Sequence, residues 1–101
     1  MEKILDLILE AVDNKHGKDT VHIALTDAFT DHFIITTGNS PAQTQAIADE
    51  VERVMGKENI YVEQREGYRE GSWILLDFGN IILHVFLPEQ RQYYSLEKLW
   101  Q

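Results

Sequence analysis

The chain has 101 residues, and its 17 acids against 9 bases give a formal net charge of −8 with histidine neutral. That length suits one domain over residues 1–101, and 44% hydrophobic residues with two Pro and six Gly suit a compact globule rather than a disordered segment. The absence of Cys excludes disulfides, thiolate catalysis and cysteine-ligated zinc, and the acidic balance argues against direct sequence-specific nucleic-acid binding, which recruits a basic patch.

Ile4, Leu5, Ile8, Ala11 and Val12 recur at helical spacing and predict an amphipathic helix over residues 2–14, with Gly17 placed to cap its C-terminus. Met1-Glu2-Lys3-Ile4-Leu5-Asp6 carries acids where a signal peptide carries bases, and no apolar run approaches the roughly 20 residues of a membrane span. The expected setting is the cytoplasm or an organelle matrix, with no membrane partner. Val21, Ile23 and Leu25 alternate with His22, Ala24 and Thr26 and predict a first strand; Asp27 to Asp31 reads as a turn and His32 to Thr37 as a second strand. Ser40 and Pro41 fit the N-cap and first position of a helix over residues 41–56, with Ala42, Ala46, Ile47, Val51, Val54 and Met55 as its buried stripe. Gly56 or Lys57-Glu58-Asn59 ends that helix.

Tyr61 to Gln64 predicts a short polar strand at a sheet edge, and Arg65 to Gly71 a polar loop of the kind that often carries contacts. Strands over residues 72–78 and 81–87, joined through Gly79-Asn80, predict an antiparallel hairpin. Residues 89–100 predict a short helix with Tyr93, Leu96 and Trp100 at roughly helical spacing. The order α-β-β-α-β-β-β-α predicts an α/β fold, a mixed β-sheet of about five strands flanked by helices.

Alternation in the hairpin puts Trp73, Leu75 and Asp77 on one face and Ile74, Leu76 and Phe78 on the other; the next strand separates Ile82, His84 and Phe86 from Ile81, Leu83, Val85 and Leu87. Both faces are largely apolar. One is covered by the domain's own helices, and the other needs a helix, a second subunit or a partner, because large bare apolar patches are rare on monomers. Trp73 and Leu75 are the candidate outward anchors, since the remaining residue on their face is charged. The acidic surface fits a basic protein partner as well as plain solubility.

The polar residues also permit a catalytic reading. Gly38-Asn39-Ser40 at a helix start can receive a phosphate, and Asp27, Asp31 and Asp77 can hold magnesium, a combination that spells nucleotidyl transfer. Against it, the loop has little glycine, Pro41 removes one N–H, and no strand carries two alternating acids. A lone His84 amid strand residues is more often structural than a general base, and His16, His22, His32 and His84 match no compact metal-ligand spacing. Adjacent Tyr93 and Tyr94 on a short helix cannot both point inward, so at least one meets a loop, a partner or solvent.

Taken in order, Thr26-Asp27, Phe33-Ile34-Ile35, Gly38-Asn39-Ser40, Glu66-Gly67, Trp73-Ile74-Leu75-Leu76-Asp77-Phe78-Gly79, His84-Val85-Phe86, Arg91-Gln92-Tyr93-Tyr94 and Leu96-Glu97-Lys98-Leu99-Trp100 closely resemble the ribosomal silencing factor family, also called Iojap or YbeB-like. The resemblance covers essentially the whole chain. It implies a degenerate nucleotidyltransferase-like fold without catalytic residues or cofactor, and a homodimer when free. It further implies a translational repressor that binds the large ribosomal subunit through ribosomal protein uL14 and keeps the small subunit from joining when nutrients run short. Carried onto this sequence, it assigns Trp73 and Leu75 to the docking surface, with Asp77, His84, Arg91 and Tyr94 as neighbours. An assembly factor of the large subunit would need the same surface.

Overall fold

The structure, a computed structural model, describes residues 2–26 and 28–100. In chain order the elements are α1 (Glu2–Asn14), β1 (Lys18–Ala24), β2 (His32–Thr37), α2 (Pro41–Lys57), β3 (Gln64–Glu66), β4 (Trp73–Asp77), β5 (Ile81–Phe86), α3 (Pro88–Tyr94) and α4 (Leu96–Trp100). The five strands form one mixed sheet in the order β1-β2-β5-β4-β3. β2 and β5 run parallel, while the other neighbours are antiparallel. A parallel pair needs a long crossover, and here α2 carries the chain back along the sheet before β3 and β4 intervene.

α1 and α2 cover one face. Leu5, Ile8 and Val12 of α1 and Ile47, Val51 and Met55 of α2 close over Ile34, Ile74, Leu76, Leu83 and Val85 of the sheet. Gly17 is a point of close approach: a Cβ there would stand 2.4 Å from Val12 Cγ1 and 2.6 Å from Thr36 Oγ1. The opposite face gathers Ile23, Phe33, Ile35, Ile82 and Phe86, and among the described residues only α3 and α4 lie against it, at one end.

Ser40 caps α2 as expected, its Oγ accepting from the Gln43 N–H at 3.1 Å, and Pro41 stands in the first turn. The Gln43 side chain reciprocates by accepting from the Asn39 N–H at 2.7 Å.

Several boundaries differ from the sequence reading. The left-handed residue ending α1 is His16 (φ 63°), with the Gly17 N–H bonded back to Val12 O at 3.0 Å. β1 begins at Lys18 because a register shift between Lys18 and Val21 lets it pair past the hydrophobic alternation. Of the two stops offered for α2, the Lys57-Glu58-Asn59 segment is the one observed: the helix ends at Lys57, Asn59 is left-handed (φ 60°) just beyond, and Gly56 lies inside it. On α2 Ala42 is exposed while Thr44 and Ala48 are buried; the Thr44 hydroxyl donates to Gly71 O at 2.6 Å, so its polarity is satisfied inside.

The edge strand is Gln64–Glu66 rather than residues 61–64, because pairing of Gln64 with Asp77 sets it, not side-chain propensity. The C-terminal helix is broken in two by Ser95, which is left-handed at φ 48°. The Trp100 side chain, part of the spacing argument for that helix, lies outside the described side chains.

Candidate docking site

β4 and β5 project their alternate residues onto the thinly covered face. The register pairs Trp73 with Phe86, Leu75 with His84 and Asp77 with Ile82. Trp73 and Leu75 are half-buried, as befits strand residues that no long helix covers. The Trp73 indole stacks on Phe86 (centroids 4.9 Å apart, planes at 29°) and meets Tyr94 from α3 at 4.6 Å. Tyr94 remains 43% exposed and Tyr93, its neighbour, 81%, so the tyrosine pair splits between the face and solvent. Beyond β5 the face continues through Phe33 of β2 to Phe29, which is 72% exposed and edge-on to Phe33 at 6.1 Å. The sequence reading gives neither Phe29 nor Phe33 a contact role, although a large aromatic such as Phe29 in a predicted turn is a usable signal for a surface contact.

His84 is placed as a support, not as part of the exposed surface. It is 4% exposed, its ring edge-on to Phe33 at 4.8 Å, and its Nδ1 accepts the Trp73 indole N–H at 3.1 Å. That bond requires the Nε2–H tautomer of a neutral ring. Burial pushes the imidazole down to about 4 and so keeps it neutral at physiological pH. Nε2 itself is buried without a hydrogen-bond partner.

Asp77 serves the hairpin: its Oδ1 accepts from the Gly79 N–H at 2.7 Å, closing the turn locally. Arg91 is largely inward, as a clamp. Its guanidinium donates to Glu97 at 2.9 Å and to Thr37 Oγ1 at 2.8 Å, tying α3 to α4 and to the end of β2. Of the six expected surface residues, Trp73, Leu75 and Tyr94 therefore share one open patch, while His84, Asp77 and Arg91 hold it in shape. A depression of about 390 Å³ lies beside the clamp, lined by Lys18, Thr37, Asn39, Arg91 and Glu97 among others. A smaller notch of about 260 Å³ lies on the open face and is lined by Glu66, Trp73 and Leu75.

The catalytic reading finds little to build on. The Ser40 hydroxyl is committed to Gln43 and the Asp77 carboxylate to Gly79, and Asp27 lies outside the described residues. His22 Nε2 and His32 Nδ1 approach to 2.8 Å, but among the described residues no cluster of three or more His, Asp or Glu is arranged to hold a metal. No helix among them is long and apolar enough to cross a membrane.

Comparison with known proteins matches this arrangement of sequence and fold. A family model described as "Ribosomal silencing factor during starvation" matches residues 1–101. A ribosomal silencing factor from Halalkalibacterium halodurans is 39% identical over 101 residues, covering 98% of this chain and 86% of that protein. An X-ray crystal structure of a Chromobacterium violaceum protein superposes with a TM-score of 0.94 at 33% identity, covering 99% of this chain and 85% of the other. A mouse protein named for mitochondrial assembly of the ribosomal large subunit is 28% identical over 102 residues, covering 95% of this chain and 44% of its own length. Matched along its whole length and aligned at such identity with a named member, the chain belongs to the ribosomal silencing factor family.

Proposed function

We propose that this chain is a non-enzymatic, cytoplasmic translational repressor that docks through Trp73 and Leu75 on ribosomal protein uL14 of the large ribosomal subunit and sterically blocks joining of the small subunit. The observation that supports this reading is the aromatic patch of Phe29, Trp73 and Tyr94 on a sheet face that the domain's long helices leave open. Fully burying a large apolar side chain contributes about 1.5–3 kcal/mol, so two such anchors suffice for a docking centre. The surplus of acids speeds encounter with a basic ribosomal protein.

The test is co-sedimentation with purified large subunits followed by a subunit-joining assay. Replacing Trp73 and Leu75 together by alanine weakens binding at least about a hundredfold and restores joining. Leu75→Glu, which leaves the Trp73–Phe86 stack in place, is the companion variant. Wild-type binding by both folded variants refutes this placement of the site.

Kinship with the mouse assembly protein favours a second reading, in which the same face attaches the chain to maturing large subunits. Binding without any effect on joining of mature subunits would select it. The open face also suits a second copy of the chain when free, in which case dimer and ribosome compete; an intact dimer sedimenting on the subunit excludes that competition.

A further inference from the structure

We infer that the notch between Glu66, Trp73 and Leu75 is a receptor for one long cationic side chain, arginine or lysine, presented by the docked partner; the inference rests on the docking reading above and adds the chemistry of what enters. Glu66 pairs with Leu75 across β3 and β4, and Trp73 stands two residues along β4 from Leu75, so all three project to the same face. They are the lining of a cavity of about 260 Å³, open at the sheet edge where β3 is exposed at every residue. The notch thus has a π wall, an aliphatic wall and a carboxylate.

Each wall meets a different part of such a side chain. The methylene stem lies on Leu75, the charged head meets the carboxylate, and the indole face attracts the cation through its quadrupole. Trp73 has already given its one donor to His84, so it offers the partner a ring face and no hydrogen bond. A group that seeks a donor gains nothing there. Glu66 enters none of the ion pairs among the described residues. The adjacent base does not neutralise it: Arg65 projects to the opposite face, bonded to Glu52 at 3.0 Å and lying 4.9 Å over the Tyr68 ring.

The backbone beneath the walls is also fixed in advance. Gly67 follows Glu66 with φ +77°, and a Cβ there would stand 1.9 Å from the Trp73 carbonyl oxygen. This approach, available only to glycine, holds the end of β3 against the start of β4 and so fixes the backbone that carries Glu66 beside the backbone that carries Trp73 before any partner arrives.

The experiment measures binding of purified large ribosomal subunits at low and moderate salt by wild type, Glu66→Gln, Glu66→Leu and Glu66→Lys, with Leu75→Glu as the docking control. Residue 66 is exposed, and unchanged circular dichroism checks that each variant folds. Glu66→Gln is expected to weaken binding about five- to tenfold at low salt and to flatten the salt dependence, and Glu66→Lys to weaken it further. Glu66→Gln and Glu66→Leu binding as well as wild type, while Leu75→Glu does not bind, would overturn the cationic occupant and leave the docking reading standing. Wild-type binding by both Leu75→Glu and the variant with Trp73 and Leu75 replaced by alanine would overturn both.

Discussion

The Trp73 indole N–H donates to His84 Nδ1 at 3.1 Å, joining a half-buried residue of the open face to a buried histidine. The bond satisfies the one polar atom of the indole and fixes which nitrogen of His84 carries the proton. The histidine earns its place as an acceptor and remains one only while neutral.

That arrangement predicts a pH dependence. The folded-state value of His84, about 4, lies below its ordinary value of 6.5, so the unfolded chain binds the extra proton first. Stability is full above about 6.5 and falls as pH drops from there through about 4, by an amount on the order of 3 kcal/mol from this group. Urea unfolding at pH 7 and pH 4 checks it by comparing wild type with His84→Phe, which lacks the titration. Equal losses in the two proteins would show that His84 is not the group responsible.

Arg91 predicts a stability effect. Removing the guanidinium by Arg91→Met strands the Glu97 carboxylate and frees Thr37, costing about 1.5–3 kcal/mol in urea unfolding. Amide exchange in α3 and α4 accelerates in that variant, and the Tyr94 contact with Trp73 loosens with it.

Asp77 separates turn from contact. Asp77→Ala loses the bond to the Gly79 N–H and lowers stability by about 1–2 kcal/mol. Asp77→Asn keeps an acceptor and recovers most of it. Both variants bind large subunits within about twofold of wild type, because a surface ion pair contributes little; a larger loss for the stable Asp77→Asn would return Asp77 to the contact surface.

Ser40 provides a check on the catalytic reading. Ser40→Ala removes the cap of α2 and costs about 1 kcal/mol by thermal unfolding. Binding to large subunits is unchanged. Calorimetry with nucleoside triphosphates and magnesium gives a flat trace for wild type and variant alike.

What was legible in the residues was whatever depends on near neighbours. Ser40-Pro41 announced the start of α2, and strict alternation separated Trp73 and Leu75 from Ile74 and Leu76, as observed. What pairing decides was not legible. Glu66 reached the notch because β3 meets β4 in a register with Gln64 opposite Asp77, which no local pattern of three polar residues encodes. Thr44 was buried through a bond to Gly71, and Arg91 turned inward to Thr37; each partner lies far along the chain. Asp77 and His84 were recognisable as misfits in an apolar hairpin, but only their partners reveal that one closes a turn and the other holds an indole.

The parallel pairing of β2 with β5 has a consequence for synthesis. The open face takes Phe33 from β2 and Trp73, Leu75 and Phe86 from the hairpin, and it is the match of His32 with Ile81 through Thr37 with Phe86 that brings them side by side. Such distant pairing is slow because the intervening loop must close first. A nascent chain consequently has no assembled face until Phe86 has been polymerised and has left the exit tunnel. Under the proposed docking function, the order in which its strands emerge leaves a half-made copy without the surface through which it would dock.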